Sequence, residues 1–435
     1  MLFHLFLLVF TTLFQHANAA ASYISDFVDP DFILSREFAI HTYPAEVSIV
    51  KWARQFSLKG PWSVMDKPVL PPSGNKHDYM SWSPYSWPNC SSVGNTTVLS
   101  DEEVWKRCPY EIRDGEFNPD GRIVSDAGAF DDLSNAVLYN AISAIITGGN
   151  TNLFSRNVAA YLKRWFLDPK TKMNPHLTYA QMQRGPNGQV GRHTGVLDMK
   201  GFSKIASGIL ILRKSNNTDY TSEIDEGMIV WCKEYIQWLD TNPTAHLERI
   251  ALNNHGTFFY VQMTSLKLII NDREGAIQAI ETFYANQFLG QIEENGEQSI
   301  ARIAKYLDPN TDAWTRTTFK NGTIQKALDF SLTLDAKRSN ETENAGDLWP
   351  CIAAIGSVFG DPEGRYEAYL RKVNPEYASE PHFFWNQPFI GGPTPTSAAE
   401  RARMTRRING TKSRFEMGSR WVIFGLDLMM VVLSA

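Results

Sequence analysis

Strand-like alternation is scarce in this 435-residue chain, and cysteine is scarcer, with four in all. The first shortage argues against a sandwich or barrel of strands. The second limits the chain to two disulfides. No Cys/His spacing resembles a zinc site and no glycine-rich phosphate loop is present, so neither a metal nor an organic cofactor is expected. Positive charge is not in excess: 42 Lys and Arg against 47 Asp and Glu leave a net charge of −5. That argues against a nucleic-acid partner, which usually meets a basic face. No solenoid-type internal repeat is evident.

What is present points elsewhere. The hydrophobic fraction of 43% suits a globular protein, and this length is within reach of a single large core. The 12 Trp, 16 Tyr and 25 Phe will mostly be core, although aromatic faces also stack on sugar rings. The apolar run from Leu5 to Phe14, followed by Ala17-Asn18-Ala19, has the form of a secretory signal covering residues 1–19. Six N-x-S/T sequons follow, at Asn89, Asn95, Asn216, Asn321, Asn340 and Asn409. Together they predict a secreted, extracellular glycoprotein. In an oxidising compartment Cys90 and Cys108 are close enough in sequence to close a small loop, with Cys232 and Cys351 as a weaker second pair. The apolar tail Trp421–Ala435 is shorter than the roughly 20 residues that span a bilayer. A terminal helix packed on the domain is expected there, with no membrane span and a monomeric chain.

Residues 20–120 read as a loop-rich N-terminal arm, dense in Pro, Gly, Ser and Trp. From Asp131 onward, helical periodicity takes over. Apolar residues recur at Leu153, Val158, Tyr161, Leu162, Trp165 and Phe166, and again at Ile229, Cys232, Tyr235, Ile236 and Leu239. Further helices are predicted over Asp132–Ile146, Gly201–Leu212, Phe258–Asn271, Gly275–Phe288, Ile324–Leu334 and Ala345–Phe359. Many helices joined by loops predict an all-α fold, an incomplete (α/α) toroid over residues 121–400. A basic and then apolar tail occupies residues 401–435.

The stretch LNNHGTFF, Leu252 to Phe259, is the most suggestive one. The Asn254 amide can grip a carboxylate without carrying charge, and the His255 imidazole can accept or donate a proton near neutrality. That pairing suits β-elimination from a uronic acid, where the C5 proton leaves and donors at the C6 oxygens stabilise the enolate. The plainer reading is that Asn253 and Asn254 cap the following helix. Two polar loops add weight. YEIRDGEFNPDGR carries Arg113, Asp114, Glu116 and Arg122. The loop from Met173 to Phe202 carries His176, Tyr179, Gln181, Gln183, Arg184, Arg192 and His193.

RDGEFNPD, MNPHLTYAQ…GVLDMKGF, NNHGTFFYVQ and DLWPCIAAIGSVFGDPEGRYEAYL stand in the order found in the alginate-lyase-like polysaccharide lyases. The chain resembles that family over roughly Lys106 to Gln387. The resemblance implies an incomplete α/α barrel that binds an acidic polysaccharide and needs no organic cofactor. It implies that Asn254 helps neutralise the uronate and that His255 belongs to the catalytic set. Arg113, Tyr179, Gln181 and Arg184 are the expected substrate contacts.

One departure stands out. The family pattern carries an arginine and a tyrosine, the charge partner and the acid/base, after an acidic-Gly-x-Gln-Pro stretch. Here EENGEQ ends at Gln298 and runs directly into SIARIAKYLDPNTDAW. Arg302 and Tyr306 have the right residue types but belong to the next helix. A lost exon, lost activity, or service by Tyr179 or Tyr260 would each account for the gap. Two alternatives therefore stand beside the lyase. One is a carbohydrate-binding homologue without activity. The other is a glycoside hydrolase on an α/α barrel, drawing its two carboxylates from Asp114, Glu116 and Asp198.

Overall fold

The structure, a computed structural model, describes residues 25–94, 98–148, 153–290, 297–333 and 345–386. The signal segment, the apolar tail, Asn95, Asn340 and Asn409 lie outside the described residues. The elements used below are α1 (Tyr43–Lys59), α2 (Asp126–Thr147), α3 (Leu153–Leu162), α4 (Phe202–Lys214), α5 (Ser222–Thr241), α6 (Pro243–Arg249), α7 (Asn254–Ile269), α8 (Arg273–Ala285), α9 (Glu297–Leu307), α10 (Leu348–Phe359) and α11 (Pro381–Asn386). Four short strands accompany them, β1 (Met80–Trp82), β2 (Ser86–Pro88), β3 (Tyr110–Ile112) and β4 (Tyr179–Met182).

Burial sorts the helices into two layers. In α4 every residue from Phe202 to Leu212 is buried, and α7 is buried without interruption from Gly256 to Leu266. A helix covered on all sides belongs to an inner layer. By contrast α5 buries one stripe, Ile224, Met228, Trp231, Cys232, Tyr235, Ile236 and Leu239, and so lies outside. The inner helices α2, α4, α7 and α9 pack side by side in that order, with α1, α3, α5 and α8 against their outer faces. Contacts of α10 with α11, and of α11 with α1, carry the arrangement round. Gln298 of α9 donates to Cys351 Sγ of α10 at 3.2 Å. The fold is the all-α, toroid-like arrangement that the helical periodicity predicted.

Close approach needs small residues. A Cβ on Gly208 of α4 would fall 2.7 Å from Val137 Cγ1 of α2, so glycine sets the spacing of these two inner helices. Aromatic rings fill the gap between layers: Phe202 of α4 stacks on both Trp231 and Tyr235 of α5. Trp231 also donates its indole N–H to the Met173 carbonyl at 2.8 Å. Burying such a side chain stabilises the fold by about 3 kcal/mol.

The stretch read as loop-rich holds a 17-residue helix, α1. Pro44 sits in its first turn, where proline suits a helix, and its stripe Ala45, Ile49, Ala53 and Phe56 packs against α2. The remainder of the arm is tied down at two points, by β1 and by Lys67, and closes on itself at a third. β1 pairs in parallel with β4, Met80 opposite Tyr179. β2 pairs antiparallel with β3, Ser86 opposite Ile112. Lys67 and Asp126 form an ion pair at 3.0 Å with both side chains fully buried.

Cys90 and Cys108 form the predicted disulfide beside β2 and β3. Cys232 and Cys351 are not joined to each other: each is buried, and they lie on different helices. The three sequon asparagines among the described residues, Asn89, Asn216 and Asn321, are all exposed. The expected helix Gly275–Phe288 breaks at Asn286, which leaves helical geometry with φ −126° and ψ −76°. No described helix is long and apolar enough to cross a membrane.

Candidate active site

The N-terminus of α7 opens into a cleft of about 460 Å³. Asn253 caps the helix, its side chain accepting from the His255 N–H at 3.1 Å, as the plainer reading of the stretch expected. Asn254 and His255 occupy the first turn and line the cleft with Phe258. Their backbone N–H groups and the helix dipole give that end a positive potential. Gly256 follows because its Cβ would lie 2.1 Å from the Ala251 carbonyl oxygen.

The opposite wall comes from the arm. Ser83, Pro84 and Tyr85 of the β1–β2 connection face the cleft, with Ile112 at the end of β3 and Asp114 beyond it. Arg192, Thr194, Leu197, Asp198 and Lys200 form the third side. A second compartment of about 640 Å³ shares Pro84, Ala127, Asp131, Gln181 and Asp198 with the first and adds Trp62, Trp82, Phe117 and Arg122. The groove is therefore long enough for a chain, with aromatic faces at one end.

Two carboxyl groups sit where the compartments meet. Asp198 accepts hydrogen bonds from Tyr79 at 3.0 Å, from Gln181 Nε2 at 2.8 Å and from Ser81. Burial pushes its pKa up, against the lowering effect of those three donors. Burial likewise raises Asp131 to about 6, opposed by Lys200 and Lys204.

Behind His255 lies a buried carboxylate. Glu248 of α6 is wholly enclosed. Its Oε2 accepts from His193 Nδ1 at 2.6 Å. Its Oε1 stands 2.7 Å from His255 Nδ1, without the alignment of a full hydrogen bond and with no other partner. The two imidazole rings are 6.3 Å apart, centre to centre. By donor type the three residues could also hold a metal ion, their ligand atoms lying within 4.8 Å of one another.

The structure gathers only part of the expected site. Asn254, His255 and Gln181 line the cleft. Arg113 is exposed beside it, paired with Glu111 at 2.7 Å and lying over Trp87; its backbone N–H donates to the Tyr85 carbonyl. Tyr179 packs on the cluster of Met80, Trp82, Val124 and Met182. Arg184 is buried, its guanidinium 4.3 Å from the Trp82 ring and 4.6 Å from the Tyr110 ring, and it pairs with Asp120 at 2.8 Å. Its Nη1 is committed to Asp120 and its flat faces to the two rings, and Arg184 does not line the cleft. Tyr260 is buried among Phe259 and Phe283. Arg302 bonds to Asn386 of α11. Tyr306 packs on Phe27 and beneath Lys214. Both belong to α9, and neither lines the cleft.

Glu248 and Tyr85 escaped the sequence reading. Glu248 lies in a short helix between the exposed Leu247 and the half-buried Arg249, and nothing in HLERIALNNH shows that this glutamate is enclosed. Tyr85 sits in a stretch rich in aromatics, where no pattern separates it from Tyr79 or Trp87.

A family profile described as alginate lyase matches residues 63–300, more than half of the chain. The match ends two residues beyond Gln298, where the family pattern breaks off. No curated protein sequence matches the chain. Among solved structures, the chain is similar in fold to an alginate lyase from Bacteroides ovatus, with TM-score 0.68 and 24% identity over 84% of this chain and 99% of that one.

Proposed function

We propose that this chain, which belongs to the alginate lyase family, cleaves a 1,4-linked uronan such as alginate or glucuronan by β-elimination. The carrying observation is that Asn254 and His255 share the positive end of α7 and face one cleft. A uronate carboxylate placed there meets the helix N-terminus and the Asn254 amide, which stabilise the charge that builds on its oxygens as C5 loses its proton. Arg192 and Lys200 add two cations to the same cleft, beside the carboxyl groups of Asp114, Asp131 and Asp198, and each can pair with a uronate carboxylate. His255 takes part in the proton transfer.

The leader at residues 1–19, the exposed sequons and the disulfide support secretion, so the substrate is a polymer met outside the cell. Residues 121–400 form the catalytic unit in this reading, with the arm from residue 20 to 120 supplying one wall of the cleft.

The test is ultraviolet absorbance on incubation with polymannuronate, polyguluronate and glucuronan. Elimination leaves an unsaturated, absorbing end on each product chain, and the responding polymer identifies the substrate. His255→Ala, folded as judged by circular dichroism, loses the signal. Full activity in that variant would sink the site assignment.

One observation favours a second reading, a glycoside hydrolase. Asp131 and Asp198 meet at the junction of the two compartments, and burial moves both toward the protonated form that a general acid needs. Saturated reducing ends without new absorbance would select it. Uronan binding without any product would select the carbohydrate-binding homologue.

A further inference from the structure

We propose that His193 and His255, held on the two oxygens of one buried carboxylate, Glu248, form the acid–base pair of the elimination; this rests on the lyase reading above. An ionised carboxylate only accepts hydrogen bonds. Each imidazole turns Nδ1 toward Glu248, hydrogen-bonded at 2.6 Å for His193 and standing 2.7 Å away, short of full alignment, for His255. A carboxylate at that distance favours Nδ1–H in both rings and leaves each Nε2 on the far side of its ring. His255 lines the cleft, and His193 lies between two residues that do, Arg192 and Thr194. With ring centres 6.3 Å apart, the edge of one sugar fits against the pair.

The charge balance favours the transfer. The step needs one imidazolium and one neutral ring against a single carboxylate. Asn254 fixes the substrate carboxylate beside His255, so the neighbouring C5 proton goes to His255 Nε2. The C5–H electron pair passes into the enolate and then forms the C4–C5 double bond as the C4–O4 bond breaks. O4 takes its proton from His193 Nε2. The positive charge moves from one ring to the other, and the net charge of His193, Glu248 and His255 is zero before and after. A carboxylate placed between the rings serves either imidazolium, which makes Glu248 a positioning residue. The other charged groups lining the cleft are Arg192, Lys200, Asp114, Asp131 and Asp198, and Arg249, next to Glu248, is committed to Asp240. No step requires Arg302, Tyr306, Tyr179 or Tyr260.

The experiment has two arms on the full chain. Nitrogen-15 NMR of the histidine rings reads the tautomers without any substrate. Nδ1–H forms at His193 and His255 are expected in the wild type, lost in Glu248→Gln. Nε2–H forms in the wild type, or one equivalent of zinc retained on these three residues, would overturn the arrangement. Kinetics form the second arm. The wild type shows a bell-shaped kcat profile, and His193→Gln lowers kcat about 10²- to 10⁴-fold with little change in KM and loses the alkaline limb. Wild-type kcat in His193→Gln, with activity abolished in Tyr85→Phe, would assign the proton transfers to Tyr85 instead. Absence of cleavage on every uronan would fail the lyase reading itself, a result separable from the tautomers.

Discussion

A Cβ on Gly256 would stand 2.1 Å from the carbonyl oxygen of Ala251, so the turn that leads into α7 closes only over glycine. Gly256→Ala must push the first turn of α7 away from that carbonyl, and Asn254 and His255 move with it. The expected result is a loss of about 1–3 kcal/mol in stability, as for other overpacked sites, and a larger loss of uronan cleavage. Chemical denaturation with a parallel activity assay measures both. Wild-type values in each would mean that the Ala251 carbonyl swings aside freely.

The buried pair of Lys67 and Asp126 anchors the arm to the first turn of α2, and Asp126 also accepts from the Met80 N–H of β1 at 3.0 Å. Removing one member leaves a buried charge without its partner. Lys67→Met should cost about 3–5 kcal/mol, read from the midpoint of a denaturant titration. A cost below about 1 kcal/mol, as for an exposed pair, would show that water reaches Asp126.

Glu46 is buried in α1 and, among the described residues, accepts only from Thr42. Burial pushes its pKa up to about 7 from the usual 4.5. A raised folded pKa means that the fold is favoured below the unfolded value and loses that advantage as pH rises through the folded one. Stability should therefore fall between pH 4.5 and about 7. Glu46→Gln should flatten that slope and gain about 2–3 kcal/mol at pH 8. Thermal melts at pH 4.5 and pH 8 decide; parallel curves for the two proteins would contradict the assignment.

Arg184 lies between Trp82 and Tyr110 and pairs with Asp120, so its contribution is to the wall behind the cleft. Arg184→Lys loses the planar stacking that guanidinium makes with both rings. About 1–2 kcal/mol of stability should go, while KM for the uronan stays near the wild-type value. A KM raised tenfold with unchanged stability would return Arg184 to the substrate.

Asn254→Asp places a negative charge where the substrate carboxylate binds. KM should rise at least tenfold, and added salt should recover part of the loss by screening the repulsion. Steady-state kinetics at two ionic strengths test this. An unchanged KM would mean that the uronate binds elsewhere in the groove.

The outer helices were legible because a half-buried helix writes its stripe into the sequence: Cys232, Tyr235, Ile236 and Leu239 of α5 recur at helical spacing and are buried, whereas at the start of the stripe Met228 is buried in place of the expected Ile229. α1 was harder to read. Its stripe includes two alanines and a buried glutamate, and it begins among residues whose prolines and glycines suggest loops.

Asn254 and His255 could be named in advance because a capped helix start, an amide and an imidazole stand consecutively, and local chemistry survives in a linear text. The pairing of Cys90 with Cys108 was open to the same kind of reading, since 18 residues separate them. Sequence alone thus determined the helical class, the polar first turn of α7 and one covalent link. Tertiary structure alone decided that Glu248 stands between His193 and His255, that Arg184 is spent on two aromatic rings, and that Arg302 and Tyr306 lie away from the cleft. Those relations depend on how one helix is rotated against another. That rotation is set by the packing of the whole ring, so no short stretch of sequence records it.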